Sequence, residues 1–315
     1  MEDHAPVILQ GHMDMVCEKD MDCPLDMEKD GLDVTHDDRF VYAKGTTLGG
    51  DDGIAVAMAL AILDDTSLSH PAIEAIFTVD EETGMYGAEG LDVSVLKGRR
   101  MLNMDSEDEG VFTVSCAGGA RADCCLPIRR QRFGAPVQEI AVTGLVGGHS
   151  GAEIDKGRAN SSMLLGRVLC ALEQKTPLRV ISVSGGLKDN AIPTASVALV
   201  AADAGAVQAV CAEMDAAFKK EYRVNDPAIT VSARPAESSL LPMDEASSRS
   251  AVCLLACLPN GIQAMSADMP GLVQTSLNLG ILTTGDDAVH ASFSVRSSVA
   301  TQKQMLIDRL RCLTE

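Results

Sequence analysis

Short apolar runs alternate with amphipathic segments through the first third of the chain. Residues 6–14 (PVILQGHMD), 72–80 (AIEAIFTVD) and 100–106 (RMLNMDS) read as strands, and residues 53–63 (GIAVAMALAIL) as a helix. Strands alternating with helices imply a largely parallel α/β sheet, and such sheets place functional residues at the carboxyl ends of strands. His12, Asp14, Glu81, Glu82 and Asp105 all fall at such ends. Near Cys116 the pattern changes, and a domain boundary is expected between residues 117 and 118. Beyond it, residues 137–145 (VQEIAVTGL) alternate, strands are expected near Arg179 and Ser196, and helices over 160–174, 207–222 and 245–258. Two long alternating runs, 273–284 and 288–298, read as antiparallel partners joined through GDD at 285–287. The second part is therefore expected to be α+β, a sheet with helices on one face.

Composition adds limits. A chain of 315 residues, 46% hydrophobic, is long enough for two ordinary domains. Lys and Arg number 26 against 45 Asp and Glu, and the net charge of −19 sets nucleic acid and anionic membrane surfaces aside in favour of cations. No Trp and 3% aromatic residues also argue against a base-stacking surface. No apolar stretch reaches bilayer length, and the first ten residues lack a basic region followed by an apolar one, so a cytoplasmic location is expected. Ten cysteines without a C-x-x-C pair exclude zinc-ribbon spacing. Cys116, Cys170, Cys253 and Cys257 sit in apolar segments, so the thiols are expected to be reduced and mostly buried.

The candidate chemistry lies in four short motifs. His12 and Asp14 are two apart and share a face of a strand, as a ligand and its orienting carboxylate do. Asp51 and Asp52 follow a glycine pair at the start of a helix, where one acid suits an N-cap and two exceed a cap's needs. A phosphate loop is rejected there, because no Gly-Lys-Ser/Thr follows the glycines. In TVDEETG (78–84), one of Glu81 and Glu82 can bind a metal while the other moves a proton. Asp80 beside them is expected to be solvated or structural. NMDSEDEG (103–110) places Asp105 at a further strand end, and its later acids read as solvated. Imidazole and carboxylates with no thiolate suit a pair of zinc, manganese or cobalt ions, which would also relieve the crowding of acids.

These residues carry a resemblance. LQGHMDMV, KGTTLGGDDGIA, FTVDEETGMYGAEGL, LNMDSEDEG, GGHSGAEIDKGRAN and NAIP resemble the co-catalytic di-zinc exopeptidases that include peptidase T, carboxypeptidase G and acylases. Within them, GTTLG and EETGM favour the aminoacyl-histidine (Xaa-His) dipeptidases. The resemblance implies a zinc-exopeptidase catalytic α/β sheet with helices on both faces, followed by an α+β lid or dimerisation domain, and hence a possible homodimer. It implies that His12 and Asp105 bind one metal, that Asp51 bridges two, and that Glu82 binds the other. Asp14 then orients His12, Glu81 is the general base, and the substrate is a small peptide. His149 matches a histidine that holds the carbonyl oxygen as it becomes an oxyanion, often across a dimer. Asn190 and Arg296 look like contacts to a substrate carbonyl or carboxylate. A serine nucleophile is not supported, because G-x-S-x-G would need glycine where Ala152 stands.

One departure from the family is expected. Its members complete the second metal's shell with a histidine near the C-terminus, and that histidine and the family's first strands are not found here. His36, in a polar turn, and His290, on a strand of the second domain, are poor substitutes. Besides a dipeptidase, the sequence leaves open a non-catalytic dimerising remnant and an amidohydrolase of acylated amino acids.

Overall fold

The computed structural model describes residues 5–106 and 109–314. The acids Glu107 and Asp108, expected to be solvated, lie outside the described residues. The chain forms two compact units, Met1–Val114 and Ser115–Glu315. Among the described residues no helix is long and apolar enough to cross a membrane.

Unit 1 runs through β1 (Val7–His12), a small hairpin of β2 (Val34–His36) and β3 (Val41–Ala43), and α1 (Gly50–Asp64). It continues with β4 (Ile73–Thr78), two one-turn helices α2 (Glu81–Gly84) and α3 (Tyr86–Glu89), and β5 (Arg100–Asn103). Its sheet has the order β4-β1-β5 and is wholly parallel, with His12 opposite Thr78. Parallel pairing puts the ends of all three strands on one side, which is what gathers the residues that follow them. α1 packs against β1 and β4 through the small, fully buried Ala55 and Ala59. Its other face, with Ile54 and Met58, is exposed.

Unit 2 begins with β6 (Gly118–Pro127), β7 (Val137–Thr143), the short β8 (Gly148–His149), α4 (Ser161–Glu173), β9 (Arg179–Gly185) and the short β10 (Ala191–Ile192). It goes on through β11 (Ser196–Ala201), α5 (Ala204–Glu221), β12 (Thr230–Pro235), α6 (Glu245–Cys257) and β13 (Gly261–Met265). It ends with β14 (Val273–Thr284), β15 (Ala288–Ser297) and α7 (Ala300–Thr314). Eight strands form an antiparallel sheet in the order β12-β7-β11-β9-β14-β15-β6, with β13 also pairing β14. The expected hairpin across residues 285–287 is β14 with β15.

Three helices of unit 2, α4, α5 and α6, start where the sequence provides caps. Asn160 accepts from the amides of Ser162 and Met163, Asp203 from Ala206, and Asp244 from Ser247, each satisfying amides that a first turn leaves free. α5, α4, α6 and α7 touch one another in that order and cover the sheet as one layer. Their apolar stripes meet the sheet in a single core that includes Leu165, Leu169, Phe218, Leu255, Ile140 and Phe293. Arg167 stacks on Phe218 at 4.7 Å and forks onto Glu221 at 2.7 and 2.9 Å, linking α4 to α5.

Two expectations need correction. β14 was read as alternating, but Thr275, Ser276 and Asn278 are buried along with their apolar neighbours. A central strand packed by α4 and β10 must bury these polar groups, and hydrogen bonds such as Thr275 to Ser297 at 2.9 Å satisfy them. The cysteines are all free, yet only Cys124 and Cys211 are buried, while Cys116, Cys253 and Cys257 are exposed and Cys170 is half-buried. Cys253 and Cys257 lie one turn apart on α6, on a face turned away from the core, so apolar neighbours in sequence did not place them inside.

Candidate functional site

β1 carries the centre of the site. His12, its last residue, is 1% exposed, so its ring must find partners within the protein. Nδ1 lies 2.9 Å from the main-chain carbonyl of Asp14, an acceptor only, which requires the ring proton on Nδ1. Nε2 then points at Asp51 Oδ1, 3.0 Å away, with Asp105 Oδ1 at 3.8 Å. A bare lone pair facing carboxylate oxygens is repulsive, so a proton or a cation belongs between them. Burial works against charge on His12, but the Asp51 hydrogen bond and the Asp105 charge outweigh it and raise its pKa above the ordinary histidine value.

The two adjacent aspartates have different surroundings. Asp51 is 55% exposed and turns toward His12. Asp52 is buried and accepts hydrogen bonds from the amides of His12, at 3.3 Å, and Ala55. Asp52 thus caps α1 and fixes the end of β1, and its burial raises its pKa. Both residues lie outside helical dihedrals, and the peptide between them is cis. Gly11 makes the close approach possible: a Cβ there would meet Ala55 Cβ at 2.5 Å and Asp52 Oδ2 at 2.6 Å. One acid of this pair was expected to serve as an N-cap; Asp52 takes that place, and Asp51 is left facing His12.

After β4 the chain turns through Asp80, exposed and left-handed at φ 57°, into the single turn of α2. Asp14 receives that turn, accepting from the amides of Glu81 and of Glu82, the latter at 3.1 Å. Burial opposes the charge of Asp14, but these amides hold its carboxyl below the usual carboxylate range. Its Oδ1 is buried without a hydrogen-bond partner, 3.4 Å from His12 Nδ1. Glu81 is half-buried, and burial together with the charges of Glu82, Asp51 and Asp14 raises its pKa against the pull of His12. Asp105, beyond β5, is pushed up to about 7 by burial and by Asp51 and Asp52.

The donor set fits divalent cations. Ligand atoms of His12, Asp51 and Asp105 lie within 4.8 Å of one another, as do those of His12, Glu81 and Glu82. Bonds of about 2.1 Å to N or O place tetrahedral ligand atoms about 3.4 Å apart, and the 3.0 and 3.8 Å separations at His12 Nε2 bracket that value. A histidine anchored through Nδ1–H on a main-chain carbonyl is also the usual state of a ligating imidazole. His36 and His290 belong to neither group and are exposed on β2 and β15.

Unit 2 brings together other expected residues. The amide of Ser150 donates to the Asn190 carbonyl at 2.8 Å, and β8 pairs with β10, so the segments bearing His149 and Asn190 are tied together. His149 Nδ1 accepts from the amide of Ala152 at 3.0 Å, which leaves Nε2 to carry the proton of the neutral ring. A Cβ on Gly151 would meet His149 Cε1 at 2.9 Å and Arg296 Cζ at 3.0 Å, so the imidazole and the guanidinium flank this glycine. The His149 residue is exposed as a whole, but partial burial and Arg296 push its pKa below the ordinary value. Arg296 Nε and Ser150 Oγ are buried donors without partners.

The sequence profile of Peptidase family M20/M25/M40 matches residues 8–236. The cytosol non-specific dipeptidase of Escherichia coli (strain K12) is 35% identical over 318 residues, spanning 99% of this chain and 66% of the relative. The crystal structure of aminoacylhistidine dipeptidase from Vibrio alginolyticus superposes with a TM-score of 0.81 at 35% identity, covering 100% of this chain and 65% of that one. The chain thus spans about two thirds of the length of these relatives.

Proposed function

The chain belongs to Peptidase family M20/M25/M40, and from that premise we propose that it hydrolyses dipeptides of the Xaa-His, carnosine-like type with the help of two divalent metal ions, zinc foremost. The observation that carries the proposal is His12, anchored through Nδ1 on the Asp14 carbonyl and aimed through Nε2 at Asp51 and Asp105. His12 and Asp105 would hold one ion and Glu82 the other, with Asp51 available to both. Bound there, such ions would supply Lewis acidity to the scissile carbonyl and to water.

The chain's own side chains do the rest. Asp14 fixes α2 and with it Glu81, which takes a proton from the attacking water and returns it to the leaving nitrogen. His149, with its proton on Nε2, donates to the carbonyl oxygen as it gains negative charge. Asn190 and Arg296 take the carbonyl and carboxylate ends of the peptide, the arginine as a fork. A homodimer through unit 2 and a cytoplasmic location belong to the same proposal, the latter supported by the name of the Escherichia coli relative.

The test is incubation of the chain with zinc, manganese or cobalt and a panel of Xaa-His dipeptides, other dipeptides and N-acyl amino acids. Release of free histidine that is lost in Glu81→Gln supports the proposal. Cleavage of N-acyl amino acids alone makes the chain an amidohydrolase. Fewer than two tightly bound ions and no hydrolysis of any substrate make it a non-catalytic remnant.

A further inference from the structure

We infer that Asp226 is a positioning residue for His149, its buried carboxylate closing the loop that presents the imidazole. The inference rests on the proposal that His149 touches the substrate. Asp226 follows α5 and is completely buried. One carboxylate oxygen accepts from the amide of Val146 and the other from the amide of Ala159, both at 2.8 Å. These two amides are the two ends of the segment that contains His149, so a single side chain pins both. Asp226 is itself held in place, because its amide donates to the Tyr222 carbonyl at 2.9 Å and its carbonyl accepts from Ile229 at 3.1 Å.

Inside the loop a chain of contacts runs from the pinned end to the imidazole. Arg158, beside the pinned Ala159, pairs with Glu153 at 3.0 Å and donates to the Gly147 carbonyl. Glu153 accepts from the His149 amide at 3.0 Å, and the amide of Ala152 donates to His149 Nδ1. The last bond decides which nitrogen is free to donate outward, and it persists only while the loop keeps its shape. An aspartate suits this task because it offers an acceptor to each amide, whereas an amide side chain turns one NH2 toward an N–H and loses that end.

The experiment follows the His149 titration by NMR in the full chain, alongside thermal unfolding, for the wild type, Asp226→Asn and Asp226→Glu. In the wild type His149 titrates below the ordinary value of about 6.5, and in Asp226→Asn it moves up toward that value as the loop opens to water and away from Arg296. Asp226→Glu keeps both acceptors but displaces them by one methylene, and shifts the midpoint in the same direction by less. In hydrolysis, Asp226→Asn lowers kcat roughly tenfold with little change in KM, the mark of an interaction made in the transition state. A His149 midpoint that stays put in whichever variant folds, despite lost stability, overturns the inference. So does a wild-type His149 that titrates at or above the ordinary value. If His149→Ala leaves hydrolysis intact while Asp226→Asn still moves the titration, the positioning stands and the substrate role of His149 falls.

Discussion

The two units divide the work of chemistry and stability unequally. Unit 1 crowds His12, Asp14, Asp51, Asp52, Glu81, Glu82 and Asp105 at strand ends and the start of α1, yet among its described residues the buried apolar ones are only Ile8, Leu9, Ala55, Ala59 and Ile76. β5 is exposed along its whole length, and α1 turns Ile54 and Met58 outward. Unit 2 holds a continuous core running from Cys124 to Leu310. The difference teaches that the candidate metal centre sits where apolar burial contributes least and where like charges oppose folding. A cation held by these side chains would therefore offset their mutual repulsion and stabilise unit 1, whereas unit 2 stands on packing.

The sharpest way to break this comparison is to separate activity from folding. Glu81→Gln is expected to lower kcat by about two to four orders of magnitude while metal content and thermal unfolding stay unchanged, measured by steady-state kinetics, elemental analysis and a melting curve. A simultaneous loss of bound metal would make Glu81 a ligand instead. Next in size, Phe218→Ala in the unit 2 core is expected to cost about 3–5 kcal/mol of that unit's stability, read from denaturant unfolding. Metal affinity at His12 should not move; if it does, the two units do not behave independently.

Zinc at about a thousand times its dissociation constant should stabilise unit 1 by about 4 kcal/mol, seen by hydrogen exchange in β1, β4 and β5 and reversed by a chelator. Equal protection across the unit 2 sheet would contradict the division. The smallest effect is expected from acid. The folded pKa of His149 is depressed, so its neutral form is favoured by folding. Its contribution is fully present above about pH 6.5, the unfolded value, and is lost as pH falls below that toward the folded one. His149→Gln should remove this slope from the pH dependence of unit 2 unfolding.

Much of the arrangement could be read from residue order because it depends on short-range rules. Alternation and strand ends placed His12, Glu81 and Asp105 on one side of a parallel sheet, and helices were expected close to where α4, α5 and α6 lie, although the cap at Asp203 starts α5 three residues earlier than expected. Other features could not. Cys253 and Cys257 sit among apolar neighbours but face outward, and Thr275 and Asn278 look like surface positions but are buried. Asp226 carries no local signal, because its partners lie 80 and 67 residues away.

Taken alone, the sequence determines which side chains stand at strand ends and helix starts, and hence that imidazole and carboxylates, not thiolates, gather in unit 1. The tertiary structure decides how adjacent acids part ways: Asp51 toward His12, Asp52 into the cap of α1, Asp14 onto the amides of α2. It also decides which nitrogen of His12 and of His149 keeps the proton. Local propensity acts over a few residues, whereas each of these outcomes depends on the partner that packing brings within about 3 Å, and only the folded chain supplies that partner.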